Sequence, residues 1–308
     1  MNNPLFIGLD LGGSYIKIGH GSIGRGLLSF ESIPYKADGR SSLLSLLKRS
    51  IEKITESQAG TETIKAIGLG TPGIVDTQSG YIIDNCPNIK EWIGANPKSF
   101  LEKELNIPVF IRNDADLMAL GESHVNNLSE NSVLGITIGT GIGSGFVLNG
   151  NIYQGKYSSM ELGHCIVEQD GIDCPCGKKG CVEMYSSVKA IISKVKEVTG
   201  SALSLDDVLK LYRNQCNEIV QIVKDSYNKL GLIIANSILV MGAEIIIIGG
   251  GITESQYFDI SHIREAVNSF LNDYYRQKSM ILPAALKNKA AVWGGIVVAE
   301  NSLMRLSS

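Results

Sequence analysis

The chain has 308 residues and a formal net charge of −3, with 44% apolar and 19% charged residues. This length allows two domains with ordinary buried cores. The acidic balance gives no basic face for nucleic acid, and no apolar run reaches the ~20 residues that span a bilayer. We therefore expect a cytoplasmic protein with no nucleic-acid or membrane partner, whose six cysteines serve as thiols or metal ligands.

The first part of the chain predicts strands that end at glycine or polar residues and alternate with helices. Apolar runs predict two strands around a glycine turn near the N-terminus, and helical spacing of leucine and isoleucine follows. The predicted elements are strands over 6–10 and 15–18, a helix over 41–56, a strand over 64–69, a helix over 97–105, a strand over 109–112 and a helix over 115–125.

The second part repeats the opening pattern of strand, glycine turn and strand. The repeat covers 133–138, 139–145 and 146–148, so we interpret the chain as two related halves. Further predicted elements are helices over 186–198, 218–240, 261–274 and 290–304, a capping box over 204–207 and a buried strand over 244–248. Strands that alternate with helices in this way predict an α/β protein.

Three glycine turns follow three apolar strands, at Gly12–Gly13, Gly139–Gly145 and Gly249–Gly251. Glycine lets the backbone approach an anion closely, and consecutive amides form anion-binding nests. A single turn of this kind is more often a plain hairpin, but three at strand ends favour nucleotide binding. None of them fits a P-loop or the Rossmann fingerprint.

Two aspartates also stand at strand ends. Asp10 beside the first turn is suited to hold Mg²⁺, or alternatively to cap its own turn. Asp114 is suited to accept a proton from a hydroxyl, or alternatively to cap the helix that follows it.

A cluster of metal-ligating residues lies between two glutamates, Glu161 and Glu183. One histidine and three cysteines form a tetrahedral zinc set, and four protein ligands leave no open position, so this zinc is expected to be structural. The set is His164, Cys174, Cys176 and Cys181. The alternative is a zinc knuckle remote from any substrate; the flanking acids favour a site that the metal shapes.

These segments together resemble the ROK family of sugar kinases and repressors, within the hexokinase–actin–Hsp70 superfamily, over essentially the whole chain. The resemblance is carried by Asp10–Ser14, Gly70–Gly73, Asn113–Ala115, Gly139–Gly145, Glu161–His164 and Cys174–Glu183. It implies a two-domain actin-like ATPase (ribonuclease H-like) α/β fold with an interdomain cleft and a zinc-binding loop. The smaller domain would comprise 1–112 with 294–308, and the larger domain 113–293.

The resemblance also implies the roles of individual residues. Asp114 would be the general base, and the sugar ligands would be Gly73, Asn88, Asn113, Asp114, Glu161, His164 and Glu183. The nucleotide would be bound by Asp10, Gly12, Gly13, Ser14 and Lys17, by Gly139, Thr140 and Gly141, and by Gly249, Gly250 and Gly251. Two departures from the family pattern are Ser14 in place of threonine and Ser144 in place of glycine.

The implied activity is ATP- and Mg²⁺-dependent phosphorylation of a hexose, with the 6-hydroxyl of glucose as the first candidate. An N-acetylhexosamine kinase acting on N-acetylmannosamine or N-acetylglucosamine is the nearest alternative. A non-catalytic sugar-sensing regulator is an alternative of another class; the regulators of this family carry an N-terminal helix-turn-helix domain, for which the strand at Phe6 leaves no room. The resemblance further implies a homodimer.

Overall fold

A computed structural model of the chain describes residues 4–36, 38–58, 62–86, 89–155 and 160–307. The chain forms two compact units. The first unit comprises 1–125, 154–159 and 288–308, and the second comprises 126–153 and 160–287.

The first unit is built on a five-stranded sheet with helices around it. The sheet has the strand order β3-β2-β1-β4-β7, and a small two-stranded sheet pairs β5 with β6. The strands are β1 (Leu5–Leu11), β2 (Tyr15–Ser22), β3 (Gly26–Pro34), β4 (Ile64–Thr71), β5 (Ile74–Val75), β6 (Ile82–Asp84) and β7 (Val109–Asn113). The helices are α1 (Arg40–Gln58), α2 (Pro97–Leu105) and α3 (Asp114–Val125), together with the last helix of the chain, α10 (Ala290–Ser307), and a 3₁₀ turn over Lys90–Trp92.

The second unit has a sheet of the same size, in the order β10-β9-β8-β11-β12. Its strands are β8 (Ser132–Ile138), β9 (Ile142–Leu148), β10 (Asn151–Ile152), β11 (Ile245–Gly249) and β12 (Met280–Pro283). Its helices are α4 (Glu183–Ser186), α5 (Val188–Thr199), α6 (Leu205–Arg213), α7 (Asn217–Met241), α8 (Ile260–Ser269) and α9 (Asp273–Lys278), with 3₁₀ turns over Leu162–His164, Gly251–Glu254 and, at the edge of the first unit, Lys287–Lys289.

The two sheets share one topology. In each unit the first strand forms an antiparallel hairpin with the second strand and pairs in parallel with the fourth. When only the strands of the five-stranded sheet are counted along the chain, each sheet has the order 3-2-1-4-5. The predicted α/β class and the two related halves are thereby confirmed.

The helix α10 packs on the first sheet and on α3 through small residues. A Cβ at Gly8 would lie 1.9 Å from Val292 O, and one at Gly68 would lie 2.0 Å from Gly295 O. A Cβ at Gly121 in α3 would lie 2.1 Å from the backbone of α10. Because the backbones meet this closely, α3 and the whole of α10 belong to the first unit, whereas the sequence boundaries assigned 113–125 and 290–293 to the other domain.

One predicted helix is divided in the structure. The helix expected over 186–198 is confirmed as α5, which begins at Val188 because Ser187 has an extended backbone and caps the helix by accepting a hydrogen bond from Ala190 N. The helix expected over 261–274 breaks before α9, where Asn272 caps Tyr275 N. This single-helix prediction was wrong because asparagine at this position starts a new helix. The capping box of Ser204 with Asp207 is confirmed.

In the part of the chain that the structure describes, no helix is both long and apolar enough to cross a bilayer.

Candidate functional site

The first glycine turn joins β1 to β2 and is closed by a charged pair. The Nζ of Lys17 lies 2.9 Å from Oδ2 of Asp10, and Gly12 N donates to Tyr15 O at 2.9 Å. The hydroxyl of Tyr35 donates to Gly12 O at 2.6 Å, and burial raises the pKa of Tyr35 to about 12. The phenol therefore remains a donor at neutral pH and holds the turn in place.

The same turn presents amides suited to an anion. Gly13 and Ser14 are exposed, and their amides meet no acceptor among the described residues. Adjacent amides of this kind form an anion-binding nest, and Lys17 adds positive charge beside it. Asp10 is 6% exposed, and within the described ranges its Oδ1 receives no hydrogen bond. A carboxylate oxygen is a ligand that Mg²⁺ prefers, so the residues fit a metal-bound phosphate.

Asp114 is the first residue of α3, where the helix dipole favours a negative charge. Desolvation, and after it the charge of Asp10, raises the pKa of Asp114 to about 7, against the opposing effects of the Ala115 amide and Lys17. A carboxyl group with a pKa near neutrality is suited to take a proton from a hydroxyl. The group also accepts a hydrogen bond from Ala115 N at 2.9 Å, so capping and proton transfer are compatible at this position.

Asn113 connects the start of α3 to the turn after β4. Its Oδ1 accepts from Ala115 N at 2.9 Å, and its Nδ2 donates to Gly73 O at 3.1 Å. Asn113 and Gly73, both predicted sugar ligands, are therefore in direct contact.

The turn at Gly73 lies against a buried thiol. Gly73 has φ 93°, and a Cβ there would lie 2.4 Å from Cys86 Sγ. Burial, followed by the charges of Asp114 and Asp84, raises the pKa of Cys86 to about 12, so this thiol stays protonated. Asn88, the other predicted ligand in this region, lies outside the described residues.

The second glycine turn joins β8 to β9 and is held by groups from other elements. Ile142 N donates to Oε2 of Glu183 at 2.8 Å, and a Cβ at Gly141 would lie 2.4 Å from the same oxygen. On the other side of the turn, Val188 N at the start of α5 donates to Gly139 O at 2.9 Å. The turn is therefore fixed by the carboxylate of α4 and the first amide of α5.

The third glycine segment ends β11 beside the second turn. Gly250 has φ 84°, and a Cβ there would lie 2.6 Å from Ile138 N. A Cβ at Gly139 would lie 3.8 Å from Gly251 N, and Thr140, the next residue of the second turn, is exposed. Both segments predicted to bind nucleotide in this unit thus form one continuous backbone surface.

The segment that carries Glu161 and His164 packs on β9. Glu161 is exposed and His164 half-buried, and both lie next to a 3₁₀ turn over Leu162–His164. A Cβ at Gly163 would lie 2.2 Å from Ile142 O, so only glycine allows this approach. Glu183 contacts the neighbouring Ile142 amide, which brings all three predicted ligands of this unit to one region of the strand.

The predicted metal ligands converge. The four ligand atoms of His164, Cys174, Cys176 and Cys181 all lie within 4.8 Å of one another. Cys174 Sγ is 3.7 Å from His164 Nδ1, and Cys176 Sγ is 3.6 Å from Cys181 Sγ. A zinc tetrahedron with Zn–S bonds of ~2.3 Å has edges of ~3.8 Å, so this donor set fits zinc. Since Nδ1 faces the sulfurs, Nε2 points away from the cluster.

The loop around the cluster has supports of its own. Tyr185 accepts a hydrogen bond from Ile172 N at 2.8 Å, and Lys229 Nζ lies 5.0 Å from the centroid of the Tyr185 ring. Lys229 also lies 3.4 Å from Glu168. Gly180 has φ 73°, and a Cβ there would lie 1.7 Å from Glu168 O. The fold around the four predicted metal ligands thus depends on residues that were not predicted to belong to the site.

The structure brings the predicted residues together in two groups, one in each unit. The predicted base Asp114, the first turn, Asn113 and Gly73 lie in the first unit. The other glycine segments, Glu161, Glu183 and the predicted metal ligands lie in the second. Sequence reasoning missed the contacts of Tyr35 and Tyr185 and the bond from Ile142 to Glu183, because no local spacing signals a partner 41 residues away.

The sequence model of the ROK family matches residues 6–302. A glucokinase of Halalkalibacterium halodurans is 29% identical over 98% of this chain and 98% of its own length. A xylose repressor of Caldicellulosiruptor bescii is 26% identical over 97% of this chain and 78% of its own length.

Solved structures of ROK proteins are also similar to this chain. A ROK hexokinase from Thermus thermophilus superposes with a TM-score of 0.85 at 28% identity, covering 98% of this chain and 99% of that one. A ROK glucokinase from Streptomyces griseus, in complex with glucose and AMPPNP, gives a TM-score of 0.81 at 25% identity, covering 96% and 99%.

Proposed function

Because the chain belongs to the ROK family, we propose that it is an ATP-dependent hexose kinase that phosphorylates the 6-hydroxyl of glucose. The observation that carries this proposal is Asp114, a carboxyl group with a pKa of about 7 in the same unit as an anion-binding turn. The glucokinase and hexokinase relatives, which match almost their whole lengths, support it.

On the acceptor side, Asp114 takes the proton of the attacking hydroxyl as the oxygen bonds to the γ-phosphorus of ATP. The bond from that phosphorus to the β,γ-bridging oxygen breaks, and ADP leaves with the bridging oxygen. The hydrogen bonds of Asn113 to Ala115 N and Gly73 O fix the helix end that carries the base. Phosphoryl transfer depends on positioning and charge more than on covalent chemistry. A base held at a helix end therefore meets the main requirement of the reaction.

On the donor side, the amides of Gly13 and Ser14 and the ammonium of Lys17 would bind phosphate oxygens. Asp10 would hold Mg²⁺, and this ion, when bound, would neutralise charge on the phosphates. The second turn and Gly250 would hold the remainder of the nucleotide. Lys17 is already placed at the turn by its ion pair with Asp10.

The sugar would be bound in the second unit by Glu161, by Nε2 of His164 and by Glu183. Hydroxyl groups that lose water without gaining a partner cost ~1–3 kcal/mol each, so a sugar site needs several acceptors. Zinc at the histidine and cysteine cluster would be structural and would fix the orientation of the His164 ring.

A sugar-responsive regulator is the second candidate, because the relatives include xylose repressors. A regulator would bind a sugar without turnover. The base Asp114 and both phosphate turns favour the kinase, since sugar sensing alone needs neither of them.

The deciding experiment is an ADP-release assay with Mg²⁺·ATP against glucose, mannose, fructose, allose, xylose, N-acetylglucosamine and N-acetylmannosamine. We expect turnover with glucose. Preference for an N-acetylhexosamine would replace the proposed acceptor but keep the reaction. Binding of a sugar without any turnover would favour the regulator and contradict the kinase proposal.

The Asp114→Asn variant tests the base. We expect kcat to fall by about 10²–10⁴-fold, because a general base contributes that much, with sugar affinity largely retained in calorimetry. Asp116→Asn removes another carboxylate from the same helix and serves as the matched control, with kcat largely unchanged. Near-normal activity of Asp114→Asn would show that the base is assigned to the wrong residue.

A further inference from the structure

The strand β9 contains a buried hydroxyl at Ser144 that contacts the segment bearing two predicted sugar ligands. We propose that Ser144 is a positioning residue of the sugar site, which holds Glu161 and His164 in their binding geometry. The inference rests on the proposed function, because it assigns a role within the same sugar site.

The segment that Ser144 contacts has an unfavourable backbone. Met160 has φ 57°, in the left-handed region that residues with a side chain seldom adopt. Glu161 follows with φ −76° and ψ 52°, and Leu162 N donates to Met160 O at 2.9 Å. This is an inverse γ-turn centred on Glu161. Such a conformation persists only where its surroundings hold it.

Ser144 contacts both ends of this γ-turn. Its hydroxyl donates to Met160 O, and its oxygen accepts from Leu162 N at 3.2 Å. Ser144 is 5% exposed, so water does not readily replace the hydroxyl when it is removed. A single buried side chain therefore fixes the backbone on either side of Glu161.

The effect is expected to be confined to the sugar side. Gly163 still packs on Ile142 O without the hydroxyl, so the segment stays near β9 while the orientation of Glu161 loosens. The second glycine turn is held by the bond from Ile142 N to Glu183, in which Ser144 takes no part. Loss of the hydroxyl should weaken sugar binding and leave nucleotide binding unchanged.

The test is the Ser144→Ala variant of the full chain. We expect its KM for the preferred sugar, and its sugar Kd in calorimetry, to rise about 3- to 10-fold, which corresponds to one or two lost hydrogen bonds. The KM for ATP and the zinc content should match those of the wild type. Ser144→Gly also lacks the hydroxyl and should show the same change, and it carries the test if the alanine variant folds poorly.

Ser237→Ala is the matched control. Ser237 lies in the same unit, is buried, and donates its hydroxyl to Ile233 O at 2.8 Å, but it lies in α7 away from the γ-turn. The inference is overturned if Ser144→Ala keeps the wild-type sugar KM, if its ATP KM rises equally, or if Ser237→Ala shows the same change. A wild type that binds no sugar in the panel would overturn the proposed function and this inference together, whereas unchanged sugar binding in an active Ser144→Ala would overturn the inference alone.

Discussion

The two glycine turns occupy the same place in two sheets of identical strand order, yet they are stabilised by different means. The first turn is flanked by a charged pair, Asp10 in β1 with Lys17 in β2, and the phenol of Tyr35, directly after β3, donates to Gly12 O. The second turn has no acidic residue within it and depends on Glu183, which follows the metal loop.

The two units share one strand order, but the groups that stabilise their turns are suited to different functions. In the first unit the charged groups at the turn also affect the proposed base, because Asp10 raises and Lys17 lowers the pKa of Asp114. In the second unit the carboxylate that fixes the turn is also a predicted sugar ligand. We therefore expect changes in the first unit to alter proton transfer and phosphate binding, and changes in the second to alter sugar affinity.

Within the second unit, the largest effect on the sugar reaction is expected from removal of the predicted metal ligand Cys176. Cys176→Ser should lose zinc and lower kcat/KM for the sugar by about 100-fold or more, since even the outer partners of metal ligands are worth 10–100-fold. Zinc content by mass spectrometry and sugar Kd are the measurements. Cys216→Ser, at a half-buried cysteine outside the cluster, is the control and should retain both. A zinc-free Cys176→Ser variant with normal sugar affinity would contradict the proposal that the metal loop supports the sugar ligands of the second unit.

The pH dependence of the wild type should show the base of the first unit. With a pKa of about 7, Asp114 is ionised above that pH, so kcat/KM should rise as pH rises through about 7. Between pH 8 and pH 5 the expected fall is about 100-fold. The residual activity of Asp114→Asn should not show this rise of kcat/KM near pH 7. A wild type whose kcat/KM rises near pH 4 instead would contradict the raised pKa of Asp114.

Stability should change with pH in the opposite sense. The folded-state pKa of Asp114 lies above the ordinary value of 3.8, so protonation favours the folded state. Its contribution to the free energy of unfolding is fully present below about pH 4 and is lost as pH rises through about 7. Asp114→Asn should therefore raise the melting temperature more at pH 8 than at pH 5, as differential scanning fluorimetry can measure.

A matched pair of glycine variants compares the turns directly. A Cβ at Gly141 would displace the Glu183 carboxylate, whereas one at Gly12 would meet only Tyr15 O at 3.4 Å. We expect Gly141→Ala to weaken sugar binding about tenfold or more in the absence of nucleotide, and Gly12→Ala to leave it unchanged. Equal sugar affinities in calorimetry would show that Glu183 does not connect the turn to the sugar.

The smallest effect is expected for Lys17→Met. Loss of the ammonium should raise the ATP KM about 3- to 10-fold, as for one ordinary hydrogen bond at a partly exposed site, without changing sugar affinity. Because Lys17 lowers the pKa of Asp114, the midpoint of the pH profile should also move to higher pH. A rise in sugar Kd, or a midpoint that moves to lower pH, would contradict the division between the units.

The sequence predicted those parts of the site that depend on local spacing. The four predicted metal ligands lie within 18 residues of sequence. Asp10 lies at the end of an apolar strand and Asp114 directly follows one, so their positions could be read from the pattern. The contacts of Ser144 with Met160 and of Ile142 with Glu183 join segments that only the folded chain brings together. The periodicity of apolar residues along the sequence does not predict these two contacts.

The fold was predictable to a similar extent. Long apolar elements such as α7 and β11 were found, whereas β3 and β12 were missed because each lies at a sheet edge with weak apolar alternation. The break at Asn272 was missed because apolar spacing continues across it, and a side-chain cap overrides this spacing.

The close packing of α10 on Gly8 and Gly68 affects the order in which the two units fold during synthesis. Ribosomes add residues more slowly than small domains fold, so units fold in the order in which their parts emerge. Residues 126–287, which hold almost all of the second unit, emerge before α10, and α10 covers β1 and β4 of the first unit. Until α10 has been synthesised, the face of the first sheet at Gly8 and Gly68 has no helix packed on it. The first unit therefore completes its fold after the second unit, although its strands are synthesised first.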